Sequence, residues 1–186
     1  MKTAPTSGDN PLVMHNRIPS PRRLNPRVWL ISTPLSILSL ERRARLPKLP
    51  TGRWRFLGLP LLVASVGLWG WSARTLMTKG AGTPDPDNPP LLLVEDGPYQ
   101  YTRNPMMLAA LTALFGTAVL QRSLLLLLYL LGLAAIIQRY LVRVEEPELK
   151  ERFGVPYREY TRRVPRWLPR LGRNAQREPA PVPEED

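Results

Sequence analysis

The chain has 186 residues, 44% of them hydrophobic, and 26 Lys and Arg against 15 Asp and Glu give it a formal net charge of +11. With no cysteine it can form neither disulfides nor thiolate metal sites, and it offers no Cys nucleophile and no palmitoylation site. The basic residues sit beside apolar runs instead of interleaving with aromatics along one element, so the charge points to membrane flanks and lipid headgroups, not to nucleic acid.

Residues 1–27 are rich in Pro, Ser and Asn and basic, with no continuous apolar stretch before a small-residue cleavage site. They read as a flexible, cytoplasm-facing leader and not as a signal peptide. The single histidine, His15, falls here, and no metal site is expected. Val28–Leu40 is the first apolar run. It is short for the hydrocarbon core, which is about 30 Å thick, and Pro34 interrupts it, so it either spans with tapered ends or lies re-entrant.

Glu41–Arg55, carrying Arg42, Arg43, Arg45, Lys48, Arg53 and Arg55, is expected to be a polar linker whose prolines forbid a continuous helix. Phe56–Met77 is long enough to span, with Trp69 and Trp71 placed for an interfacial belt and Arg74 able to snorkel. The Gly/Pro/Asp cluster in Thr78–Glu95 demands an exposed loop.

Met106–Leu120 and Leu124–Val142 are apolar runs separated only by Gln121, Arg122 and Ser123, which predicts an antiparallel helical hairpin. Ala109, Ala110, Ala113, Gly116 and Ala118 on one arm, with Gly132, Ala134 and Ala135 on the other, would permit close approach. The charged stretch that follows, studded with Phe153, Tyr157, Tyr160, Val164 and Trp167, reads as an amphipathic tail at the membrane interface, with Gly154 as a helix stop. Residues 172–186 read as disordered. The fold class expected is all-α and polytopic, with about three to four transmembrane helices. A C-terminal hairpin and an interfacial cytosolic tail complete a domain over 28–171.

The hairpin brings two polar clusters to one side of the membrane: "GPYQYTRNP" (Gly97–Pro105), before its first arm, and "VEEPEL", after its second. Asn104-Pro105 is a helix-start signal, Asn as cap and Pro at the first helical position. Such an end, with Arg103 beside it, attracts an anion. Taken alone it serves only to begin a membrane helix while Arg103 reaches lipid phosphates. Glu145 and Glu146 opposite it could accept hydrogen bonds from an ammonium or from ribose hydroxyls. The pair of clusters would match a ligand that carries both a carboxylate and an ammonium.

"LLLVEDGPYQYTRNPMML" followed by "EEPELKERFGVPYREYTRRVPRWLP" resembles the membrane methyltransferases that include isoprenylcysteine carboxyl methyltransferase and the phospholipid N-methyltransferases. The resemblance covers about Gly80 to Leu171. It implies S-adenosylmethionine at the cytosolic mouth of the hairpin and a lipophilic acceptor, an isoprenylcysteine carboxylate or a phospholipid amine, entering from a bacterial inner membrane. Carried over by position, Leu93 and Val94 would line the adenosyl site, and Gly97 would turn the chain so that Tyr99 meets the cofactor. Arg103, Asn104, Pro105, Met106 and Met107 would hold it at the helix start, with Glu145 and Glu146 on its other side.

The departures are Asn104, Met107 and Ala109 where the family has His, Tyr and Gly, and Leu141 where the carboxyl methyltransferases have a substrate arginine, with Arg139 and Arg143 on either side. If the acceptor is a carboxylate, Arg139 or Arg143 would orient it; if an amine, Glu146 would assist deprotonation. An NADPH-dependent membrane sterol-type reductase and a non-catalytic protein that keeps the fold are the other readings. A cytosolic site puts the Arg42–Arg55 linker outside, against the positive-inside tendency.

Overall fold

The computed structural model describes residues 32–45, 48–50, 52–81 and 90–168. The leader 1–27, the tail 172–186 and most of the Gly/Pro/Asp cluster lie outside the described residues. Among the described residues all regular structure is helical.

Helix α1, Thr33–Ala44, runs past the expected C-terminal end at Leu40, while Val28–Ile31 lie outside the described residues. Pro34 does not interrupt it but occupies its first turn, where the missing N–H has no intrahelical partner to lose. The helix persists through Glu41, Arg42 and Arg43, because no proline or glycine stands between Pro34 and Ala44 to stop it, and it ends at Arg45 in the left-handed region, φ 50°. Its 12 described residues make about 18 Å of helix. Ile37 and Leu38 pack against a core of Leu114, Ala118, Leu126 and Leu133.

A 3₁₀ turn over Gly52–Leu57 leads into α2, Gly58–Lys79. Along α2 the hydroxyls of Ser65, Ser72 and Thr75 donate to the carbonyls of Leu62, Leu68 and Trp71 at 2.7, 2.6 and 2.9 Å. The helix thereby carries polar side chains without unsatisfied groups, as a lipid environment requires. Its outer face is apolar and bare: Val63 and Val66 are 74% and 71% exposed.

Helices α3, Pro105–Gln121, and α4, Leu124–Tyr140, form the expected hairpin. Arg122 adopts φ 59° to close α3, and the Ser123 hydroxyl accepts from the Leu126 N–H to cap α4. Glu41 of α1 accepts from the Leu125 N–H at 3.2 Å, so a carboxylate covers the positive end of α4.

The small residues work differently from the expectation, because α3 lies mainly against α2. A Cβ on Gly116 would meet the Gly58 carbonyl and the Leu61 and Leu62 side chains at 3.0–3.3 Å, and one on Gly58 would meet the Gly116 carbonyl at 2.4 Å. Gly132, by contrast, has open space around it and Ala135 is exposed, so neither mediates the approach of the hairpin arms.

A π-helical turn, Leu141–Glu145, joins α4 to α5, Glu146–Arg163, without a break in the chain's helical course. Gly154 does not stop α5 but kinks it, φ 60° and ψ −128°, after which the helix resumes and ends before Val164. Two helical stretches are long and apolar enough to cross a membrane, Gly52–Lys79 and the apolar part of Leu124–Arg163, while Pro105–Gln121 is shorter. This supports an integral membrane location with two crossings and a third, shorter apolar helix. The charged α5 lies beyond the apolar part of its stretch, past Val142.

Candidate functional site

The site forms where the start of α3, the start of α5 and the segment after α5 meet. Gly97 takes φ 59°, and a Cβ there would lie 2.9 Å from the Thr75 hydroxyl, so the turn that opens the site fits against α2 only as glycine. The turn Gly97–Gln100 that follows buries Pro98 and Tyr99.

The turn and the residues beyond it are pinned at four points, once to α5 itself and three times to the segment after it. The Tyr160 hydroxyl donates to the Tyr99 carbonyl at 2.8 Å, and the Arg103 N–H to the Pro165 carbonyl at 3.0 Å. The Thr102 hydroxyl and the Asn104 amide both donate to the Arg166 carbonyl, at 3.0 and 3.2 Å. Asn104 makes no side-chain capping bond to α3, although helix-start chemistry predicts one. Its amide is spent on the tail, and no side chain caps the first turn.

Glu146 is the centre of the electrostatics. Its Oε1 accepts from Arg103 Nη1 at 3.0 Å and from Arg166 Nε at 2.6 Å, and its Oε2 accepts from Arg166 Nη2 at 2.9 Å. The Arg103 and Glu146 side chains are each only 11% exposed. Burial pushes the Glu146 carboxyl up, but the Arg166 hydrogen bond and the charges of Arg103, Arg166 and Lys150 outweigh it, and the group is held below the usual carboxylate range. Arg166 is raised in turn, chiefly by its hydrogen bond to Glu146. The Arg103 Nε is buried and has no hydrogen-bond partner among the described residues. Burial, and secondarily the Glu145 charge, push the Tyr99 phenol up to about 12, so it stays a neutral donor.

The remaining residues differ in burial. Val94 is buried, and Leu93 is half-buried against the Tyr157, Tyr160 and Val164 cluster. Pro105 is buried, Met106 and Met107 are half-buried in the first turn of α3, and Glu145 is half-buried one position before Glu146. Arg139 and Arg143 are exposed, on the last turn of α4 and on the π turn.

Sequence reasoning missed Arg166, Thr102 and Tyr160 as parts of this cluster. Arg166 is one of many cations in a charged stretch; its single distinguishing mark is its place between Pro165 and Trp167, where the chain leaves the helix and cannot continue it. Trp167 fixes that segment from the other side, its indole N–H donating to Gln138 Oε1 of α4 at 2.7 Å.

A family model described as phospholipid methyltransferase matches residues 54–155. That span takes in α2, the hairpin, Arg103 and the Glu145-Glu146 pair, and it stops short of Arg166. No curated protein and no solved structure matches the chain.

Proposed function

The chain belongs to the phospholipid methyltransferase family, a membrane methyltransferase that uses S-adenosylmethionine, and from that premise we propose that the Arg103–Glu146 cluster is its cofactor site and that the acceptor is lipophilic. The observation that carries the proposal is the buried Nε of Arg103, a guanidinium N–H whose side chain is held by Glu146 and which finds no acceptor among the described residues. An unpaired buried donor is costly, and the methionyl carboxylate of the cofactor is a suitable acceptor for it.

The other residues fit the same ligand. The first turn of α3 has no side-chain cap, so the Met106 and Met107 N–H groups and the helix dipole add to the attraction for a carboxylate. Glu145 suits the ammonium or the ribose hydroxyls, and Leu93 and Val94 offer the apolar wall that an adenine needs. When bound, S-adenosylmethionine supplies an electrophilic methyl group on a sulfonium. The chain's part is to align an acceptor in line with it and to exclude water.

Glu146, held ionised by two arginines, is a weak base, and its role in this scheme is to hold Arg103 and not to deprotonate an amine. The exposed Arg139 and Arg143 are placed to orient an anionic group of an acceptor arriving along α4 from the bilayer. A site facing the cytosol, where the cofactor is made, follows from the same reading.

Calorimetric titration of the purified protein with S-adenosylmethionine and with NADPH tests this. S-adenosylmethionine should bind and NADPH should not, and Arg103→Gln and Glu145→Gln should each weaken binding by about tenfold or more, the loss of one charge-assisted hydrogen bond. Absence of S-adenosylmethionine binding to the wild type, or a periplasmic C-terminus in reporter fusions, would overturn the reading.

A further inference from the structure

At the end of α3 remote from the site, Lys48 and Leu49 of the basic linker are held in a defined place. The Leu49 N–H donates to the Arg122 carbonyl at 2.9 Å and Arg122 Nε donates to the Leu49 carbonyl at 2.6 Å, which fixes Lys48 and Leu49 to the α3–α4 turn. Arg42 and Lys48 line a small cleft there together with Leu38, Glu41 and Gln121. Glu41, the one carboxylate in the cleft, turns an oxygen to the Leu125 N–H. The cations Arg42 and Lys48 are exposed.

The 3₁₀ turn Gly52–Leu57 packs on α3 and leads to Gly58, which meets α3 at Leu120, next to Gln121 of the cleft. The Arg53 guanidinium stands 6.0 Å from the Trp54 ring centroid and that of Arg55 4.7 Å from the Phe56 ring, and both rings are exposed, 65% and 52%. After them the bare apolar face of α2 begins, with Leu59, Val63 and Val66 all exposed. Cations above, exposed amphipathic aromatics between and hydrocarbon-facing side chains below reproduce the depth profile of a bilayer leaflet.

We propose that this surface binds anionic phospholipid of the leaflet opposite the Arg103–Glu146 site, with Arg42 and Lys48 on the headgroup phosphate, Gln121 available to a polar headgroup, and Trp54 and Phe56 at the boundary with the acyl chains. The argument for lipid over another polyanion is the continuity of the basic rim with the apolar face, since a nucleic acid or an acidic protein offers nothing to cover Leu59, Val63 and Val66. The inference stands on these contacts and does not depend on the methyl-transfer reading.

Native mass spectrometry of the full chain, released from micelles containing equimolar phosphatidylglycerol and phosphatidylcholine, reads the preference directly. The wild type is expected to retain phosphatidylglycerol over phosphatidylcholine. The double variant Arg42→Gln/Lys48→Gln should lose that preference by roughly thirtyfold, about fivefold for each cation at an anionic surface. The variant Arg53→Gln/Arg55→Gln should weaken it independently, and millimolar inorganic phosphate should leave it intact. Equal retention of the two lipids by the wild type overturns the proposal without needing any variant. So does a preference that survives both pairs of substitutions, or displacement of the lipid by free phosphate, which would mark a simple anion site.

Discussion

Arg166 holds Glu146 through two parallel hydrogen bonds, 2.6 and 2.9 Å, although twenty residues and a kinked helix separate them. The same carboxylate takes Arg103 from the start of α3, so one acidic side chain ties together three stretches of the chain. Because Glu146 is nearly buried, removing Arg166 strips two of its three charge-assisted hydrogen bonds and leaves Arg103 as its remaining arginine partner.

Arg166→Ala should therefore destabilise the folded protein by roughly 2–3 kcal/mol, the loss of hydrogen bonds to a charged group, and weaken S-adenosylmethionine binding as Glu146, which holds Arg103, loses its bidentate support. Arg166→Lys should recover little, since a point charge cannot reproduce the bidentate geometry. Thermal unfolding in detergent and calorimetric titration of both variants check this, and wild-type behaviour of Arg166→Ala in both would remove Arg166 from the site.

Acid should expose the same carboxylate. The folded-state pKa of Glu146 is depressed, so its contribution to stability is fully present above the ordinary glutamate value, about 4.3, and is lost as pH falls through the lower folded value. The thermal midpoint of the wild type should fall faster than that of Glu146→Gln over that interval, and parallel curves would contradict the assignment.

Tyr160→Phe removes the hydroxyl that donates to the Tyr99 carbonyl in a buried setting. A cost of about 1–3 kcal/mol is expected, with hydrogen exchange in the Gly97–Thr102 segment rising above that in α2. An unchanged exchange pattern would show that this contact does not hold the turn.

The glycines of the helices should separate cleanly. Gly58→Ala places a methyl against the backbone carbonyl of Gly116 and should cost about 1–3 kcal/mol. Gly132→Ala meets open space and should be neutral or stabilising by up to about 1 kcal/mol. Unfolding of the two variants side by side tests whether α2 and α3 form the close-packed pair.

Much of this was legible from local chemistry. The hairpin follows from two apolar runs with a three-residue link, and α2 from a spanning-length run with interfacial Trp69 and Trp71. The Gly97 turn and the Pro105 helix start follow from the two residues whose backbones permit those conformations. The bounds of α1 were not legible, because a proline in a first turn and a proline that breaks a helix look alike until the start of the helix is known.

The site divides the same way. The sequence by itself determined that Arg103, Asn104, Glu145 and Glu146 would stand at one mouth of the hairpin, because a short link between two apolar helices leaves no other place for their outer ends. Only the tertiary structure decided how they are used. Arg166 reaches Glu146 because α5 kinks at Gly154 and the chain then turns back at Pro165. Asn104 gives its amide to that returning segment because the Arg166 carbonyl lies within reach. Hydrophobic length and turn chemistry are properties of neighbours in the chain, whereas the choice of partner for a buried charge depends on which segment arrives beside it.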